Sequence, residues 1–126
     1  MYILISVMLS DPQKQQKRRF EMVKITESKG FHMSFENGLT ISVQFGWGNY
    51  CSNRNSLKND FKRGGECAES ETAEIAIWDE SGEMYEFDGP GDKVCGHLSV
   101  DEVAQWIDRT RLAKNLFDLK SVYFWV

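Results

Sequence analysis

Three cysteines and two histidines in this chain of 126 residues have the chemistry to bind a metal ion. Cys95 and His97 are the one close pair, and Cys51 and Cys67 would complete the four ligands of a structural zinc site. Such sites normally contain cysteines paired at two to four residues, whereas these thiols are scattered. The spacing therefore favours thiols without a metal, and we predict that the protein needs no cofactor.

A cysteine nucleophile is the second chemistry that these residues allow. Cys51 would need His32 or His97 as its base, and such partners meet in space rather than in sequence. Because no local signature surrounds Cys51, we predict that the protein is not an enzyme and keep a cysteine-dependent reaction as an alternative. The odd number of cysteines also indicates free thiols in a reducing cytoplasm.

A glycine-rich segment at residues 46–55 contains aromatic, amide and cationic side chains that could bind a nucleotide-like molecule. Glycines can also simply let the chain leave a strand sharply. The alternative functional hypothesis is a sponge for a nucleotide-derived immune signal, whose binding residues would be Trp47, Asn49, Tyr50, Arg54, Arg109 and Arg111.

Charge is strongly segregated along the chain, although the net charge is only −4. Residues 1–29 carry six basic and three acidic residues, whereas residues 66–102 carry twelve acidic residues and one lysine. An acidic surface attracts a basic partner surface and argues against direct binding of nucleic acid. We predict a partner-binding surface, with Trp78 as an aromatic anchor, formed by Glu74, Trp78, Asp79, Glu80, Glu83, Glu86 and Asp88.

Alternation of apolar and polar residues predicts a β-hairpin over residues 31–45. Asn37 and Gly38 lie between its two halves and tolerate the positive φ angles of a two-residue type I′ turn. The same alternation predicts a strand at 20–25 and a second hairpin, in which strands 73–78 and 84–87 are joined by a turn at 79–82. A further short strand is predicted at 94–98.

One helix is predicted to begin at Val100, because Ser99 and Glu102 have the spacing of a capping box. Helical spacing predicts an inward face made of Val100, Val103, Ala104 and Ile107. Trp106 lies off this face. Aromatic and β-branched residues at 116–126 predict a terminal strand or a segment docked on the sheet.

These elements predict a single α+β domain, an antiparallel sheet of about five strands built from hairpins with one main C-terminal helix packed on it. Residues 1–32 would form a strand plus a basic extension, residues 33–114 the core and residues 115–126 the terminal strand or docked segment. The apolar residues 1–9 are too few to cross a bilayer and precede no cleavage site. We therefore expect a cytoplasmic protein without a membrane partner, whose strand edges permit a homodimer.

Four segments resemble a group of small phage-encoded accessory proteins. They are Phe35-Glu-Asn-Gly-Leu39, Ser42-Val-Gln-Phe-Gly-Trp-Gly-Asn-Tyr-Cys51, Ala73-Glu-Ile-Ala-Ile-Trp-Asp79 and Ser99-Val-Asp-Glu-Val-Ala-Gln-Trp-Ile107. The resemblance covers about two thirds of the chain, from Met33 to about Lys114. It implies a protein that binds host factors, including immune systems, rather than one that performs chemistry. The leading hypothesis is thus an anti-CRISPR-like inhibitor of a host defence protein that has a basic surface.

Overall fold

Five antiparallel strands form one sheet in the computed structural model, which describes residues 21–26, 29–52, 54 and 69–121. The order of the strands in the sheet follows the chain, and one helix packs on the sheet. The elements are β1 Met22–Thr26, β2 Gly30–Ser34, β3 Thr40–Gln44, β4 Ala73–Trp78, β5 Cys95–Leu98, the helix α1 Val100–Leu112 and a 3₁₀ helix Phe117–Ser121. The predicted α+β class is confirmed.

The hydrophobic core lies between α1 and one face of β3 and β4. Ile41 and Ile77 face each other across these two strands, as do Val43 and Ile75, and all four are at most 3% exposed. Alternate residues of a strand point to the same face, so the period of two in the sequence produces this core. The expected core strands over 31–45 and 73–78 are confirmed.

The turn between β2 and β3 is not the predicted two-residue type I′ turn. The amide of Phe35 donates to the carbonyl oxygen of Leu39 at 2.9 Å, which leaves three residues in the loop. Gly38 has a φ of +88°, whereas Asn37 does not have a positive φ. The prediction was wrong because the longer loop directs the Asn37 side chain to the C-terminal end of α1, where it hydrogen-bonds to the carbonyl oxygen of Ala113 at 2.7 Å.

The second hairpin is shorter than predicted. After the turn at 79–82, a single bridge joins Trp78 to Met84, and the amide of Tyr85 donates to the carbonyl oxygen of Ile77 at 2.8 Å. The chain then turns again at 88–92, so 84–87 is not a full strand. The rest of this edge of β4 pairs with β5, which confirms the predicted strand at 94–98.

Helix α1 begins at Val100 behind the predicted capping box, in which the Ser99 and Glu102 side chains each accept a hydrogen bond from the other residue's backbone amide. Its predicted inward face is partly wrong. Val100 is 72% exposed and Ala104 is also exposed. The helix instead turns Trp106 inward, because the indole packs against aromatic rings that follow β4.

The segment after α1 forms a 3₁₀ helix over 117–121, so the predicted terminal strand is wrong there. Two side chains hydrogen-bond to nearby backbone amides within residues 114–118 and hold the chain in tight turns, which are incompatible with a strand. The Asn115 side-chain oxygen accepts a hydrogen bond from the Asp118 amide at 2.8 Å, and the Asp118 carboxylate accepts one from the Lys114 amide at 3.0 Å. Leu119 is completely buried, which docks the segment on the core.

Some predictions fall on residues outside the described ones. They concern the strand at 1–9, the basic stretch at 13–19, Cys67 and the C-terminal residues 122–126. Within the described part of the chain, no helix has the length and apolar character needed to span a membrane.

Candidate functional site

An open groove of about 630 Å³ lies between the turn after β4 and the 3₁₀ helix. The segment after β4 contributes carboxylates and apolar side chains to the groove, and the segment around the 3₁₀ helix contributes further apolar side chains. We call it the acidic groove, and it is lined by Asp79, Glu83, Met84, Tyr85, Glu86, Asn115, Leu116, Phe117 and Lys120.

Asp79 shapes the turn that forms one wall of the acidic groove. Its carboxylate accepts hydrogen bonds from the Ser81 hydroxyl at 2.6 Å, the Ser81 amide at 2.9 Å and the Glu83 amide at 3.1 Å. These bonds, led by that of the Ser81 hydroxyl, stabilise the charged form and lower the pKa of Asp79. Asp79 therefore stays ionised while it holds the turn.

The acidic residues around this turn divide into two kinds. Glu86 holds the backbone by accepting a hydrogen bond from the Gly91 amide, as Asp79 does in its own turn. Glu80, Glu83 and Asp88 are exposed, and within the described residues no lysine or arginine forms an ion pair with them. The first kind fixes the shape of this surface, and the second kind supplies charge that is available to a partner.

The apolar part of the groove is centred on Phe117, which is 94% exposed. In a 3₁₀ helix, residues three apart share a face. Phe117 is two residues from the buried Leu119, so it lies on a different face and is exposed. Met84 and Leu116 lie beside it in the groove and are partly buried. The acidic groove therefore presents an aromatic ring and two aliphatic side chains next to carboxylates.

Arg109 ties the 3₁₀ helix to α1 beneath the groove. Its guanidinium lies over the Trp106 ring at 3.9 Å, and its Nη2 donates to the carbonyl oxygen of Leu119 at 3.4 Å. The ring of Trp106 also contacts Phe87 edge-on, with 5.1 Å between the centroids. Arg109 is thus engaged in packing rather than presented to a ligand.

Two of the predicted partner-binding residues lie away from the acidic groove. Glu74 accepts hydrogen bonds from the Tyr50 amide at 2.8 Å and from the Asn49 side chain at 3.4 Å, at the opposite end of β4. Trp78 lies on the sheet face opposite α1 and contacts His32 edge-on, with 5.0 Å between the rings. Of the remaining predicted residues, the acidic groove is lined by Asp79, Glu83 and Glu86. Glu80 and Asp88 lie in the turns at 79–82 and 88–92 and are not part of its lining.

The residues predicted as a nucleotide site are only partly brought together. Arg54 lies 4.3 Å from the centre of the Tyr50 ring, and Trp47 and Tyr50 are each 51% exposed. The side-chain oxygen of Asn49 accepts a hydrogen bond from the Gly46 amide at 3.1 Å and so stabilises the loop. Four of the six predicted residues thus lie in one loop, and we call Trp47, Asn49, Tyr50 and Arg54 the loop cluster; all but Asn49 are exposed.

The other two arginines lie at the far end of α1. The loop cluster contacts β5 through the His97 amide, which donates to the Tyr50 carbonyl oxygen at 2.8 Å, next to the start of the helix. Arg111 pairs with Asp108 at 3.3 Å in the last turn of the helix. Since a helix of this length extends about 20 Å, Arg109 and Arg111 do not belong to the loop cluster.

Of the two cysteines that the structure describes, Cys51 is buried and Cys95 is partly buried. Cys51 is 2% exposed, and its sulfur donates to the carbonyl oxygen of Gly46 at 3.6 Å, not to an imidazole. Burial, followed by the charge of Asp88, raises the pKa of the Cys95 thiol and favours its protonated form. Within the described residues, no three cysteine, histidine or acidic side chains are grouped to hold a metal ion.

Phe117, Met84 and Leu116 were not predicted as site residues from the sequence. The aromatic run at 116–126 predicted a strand or a segment docked on the sheet, and neither alternative indicated which side chains stay exposed. Asn115 and Asp118 were the signal for a turn, because short polar side chains bond to nearby backbone amides. No family model, curated protein or solved structure matches the chain.

Proposed function

We propose that the protein acts by binding and not by chemistry, as an accessory protein of phage that inhibits a host defence factor in the manner of an anti-CRISPR protein. It would bind that factor stoichiometrically and cover a basic surface with its acidic groove and the exposed carboxylates of the two adjoining turns. The observation that carries the proposal is the set of exposed carboxylates of Glu80, Glu83 and Asp88, for which the described residues provide no basic ion-pair partner.

The negative charge of this surface determines which kind of partner it attracts. Carboxylates within a few ångströms of one another add their fields, and salt screens that field beyond about 8 Å at physiological ionic strength. A surface that binds nucleic acid is rich in lysine and arginine. The acidic groove would attract such a surface and, once bound, keep the nucleic acid from it.

The proposal is tested by capture from a bacterial lysate with the wild-type protein and with Glu80→Lys/Glu83→Lys. Glu71→Lys is the matched control, since Glu71 is an exposed acid before β4. We expect one basic protein to be retained in one-to-one stoichiometry by the wild type and the control, and lost from the double variant. Equal retention by all three proteins would contradict the proposal.

The loop cluster favours a second candidate function, the binding of a nucleotide-derived signal. Arginine stacked on tyrosine, beside an exposed tryptophan, can hold both a base and a phosphate. A ligand that binds only the folded protein raises its melting temperature. Cyclic nucleotides and ADP-ribose should therefore stabilise the wild type and Arg111→Ala but not Arg54→Ala, and no shift with any of them would rule this function out.

A further inference from the structure

The acidic groove contains more than charge. Its lining includes the apolar side chains of Phe117, Met84 and Leu116, which we call the apolar floor, and the carboxylates of Asp79 and Glu83. A phenylalanine that is 94% exposed gains little from folding, because nearly all of its ring stays in water. Aromatic side chains are enriched at the centre of binding interfaces, and charged groups lie mostly around them at the rim.

We propose that the acidic groove binds a short basic segment of the partner through one apolar side chain, which packs on Phe117 and Met84. This inference rests on the proposed function and specifies the chemistry of the partner. The lysines and arginines on either side of that side chain would pair with Glu83, the lining carboxylate that holds no backbone amide, and would be attracted by the charges of Asp79 and Glu86. The occupant is thus a peptide segment in which a leucine, methionine or aromatic residue is flanked by basic residues.

Charge complementarity selects this occupant. The groove is lined by three carboxylates and one lysine, so a phosphate-bearing ligand would be repelled. Its volume of about 630 Å³ is in the range of ligand sites and accommodates one side chain with its adjoining backbone. Lysine and arginine can also lay their aliphatic stems on the apolar floor while their charged ends reach the carboxylates.

The floor is suited to more than one apolar side chain. Met84 has a flexible, polarisable thioether that adapts to different shapes. The backbone that carries Phe117 is held in place, because Leu119 anchors the 3₁₀ helix and Arg109 holds that helix against α1. We therefore expect the partner segment to require an apolar residue at one position without requiring a particular one.

The test uses two synthetic peptides that differ at one position, a leucine or a serine flanked on both sides by lysine and arginine. Fluorescence anisotropy measures their affinity for the wild type, for Phe117→Ser and for Val100→Ser. Val100 is the matched control because it is also strongly exposed, at 72%, and lies at the opposite end of α1. Both substitutions are at exposed positions, and circular dichroism checks that the variants are folded.

We expect the wild type and Val100→Ser to bind the leucine peptide about tenfold more tightly than the serine peptide. Phe117→Ser should bind the two peptides equally. Equal affinity of both peptides for the wild type, with binding that weakens as salt increases, would overturn the apolar anchor and leave the acidic surface intact. No binding of either peptide would overturn the anchor and also count against the proposed function.

Discussion

The side-chain amide of Asn37 donates a hydrogen bond of 2.8 Å to the carbonyl oxygen of Thr110, so that the turn after β2 caps the end of α1. The same nitrogen donates to the carbonyl oxygen of Ala113 at 2.7 Å. The last carbonyl groups of a helix lack partners within it, and here a residue from the sheet satisfies them. Asn115 and Phe117 follow directly, so this contact also positions the wall of the acidic groove.

Loss of the Asn37 amide should destabilise the whole fold. Asn37→Asp keeps the oxygen that accepts a hydrogen bond from the Leu39 amide but replaces the donor with a negative charge next to carbonyl oxygens. We expect chemical denaturation to show a loss of about 1–3 kcal/mol in the free energy of unfolding. Gln105→Ala, at an exposed position on α1, is the control and should stay close to the wild type. A stability of Asn37→Asp equal to that of the control would refute the cap.

Substitutions at two glycines, Gly30 and Gly89, test how closely the strands of the sheet pack. A Cβ atom at Gly30 would overlap the carbonyl oxygen of Val43 in the neighbouring strand, whereas a Cβ atom at Gly89 would meet nothing within 4 Å. Gly30→Ala should therefore lower the melting temperature strongly, because backbone atoms of β2 and β3 would have to separate. Gly89→Ala should leave it nearly unchanged in the same thermal scan. Equal melting temperatures for the two variants would show that the pairing of β2 with β3 is wrong.

His32 should make the protein less stable in mild acid. Burial lowers its pKa below the ordinary value of 6.5, and the charge of Lys24 on the neighbouring strand lowers it further. The unfolded chain then binds a proton more readily than the folded protein, so the free energy of unfolding decreases as the pH falls below 6.5. Denaturation at pH 7 and at about pH 5 measures how far the free energy of unfolding falls between them. This fall should be smaller in His32→Gln than in the wild type, and in Lys24→Gln it should lie between those two values. The same decrease in His32→Gln and the wild type would contradict this account.

The parts of the fold that the sequence predicts correctly depend on local patterns. The alternation over 31–45 and 73–78 places Ile41, Val43, Ile75 and Ile77 in the core, and the capping box fixes the start of α1. In both cases, the residues that determine the element are close to one another in the sequence. The acidic residues at 79–88 likewise lie on one surface because they are neighbours in the sequence.

The errors arise where distant residues decide the structure. Asn37 takes part in a longer turn because its partner lies 73 residues away in Thr110. Trp106 faces inward because of aromatic rings that follow β4, which periodicity within the helix does not reveal. The alternation in β4 alone places Trp78 on the face opposite the core. The separation of Glu74 from the acidic groove depends instead on distant contacts, with Tyr50 at its end of β4 and residues 115–117 near the other end.

The most direct test of the acidic surface is the affinity of the captured partner, measured by calorimetry over a series of salt concentrations. For the wild type and Glu71→Lys, we predict that affinity falls as salt increases, because exposed charges drive the association. For Glu80→Lys/Glu83→Lys, we predict an affinity at least about tenfold lower at low salt and a weaker dependence on salt. An unchanged affinity and an unchanged salt dependence in this double variant would contradict the proposal that the protein binds its partner through the acidic groove and the turn at 79–82 beside it.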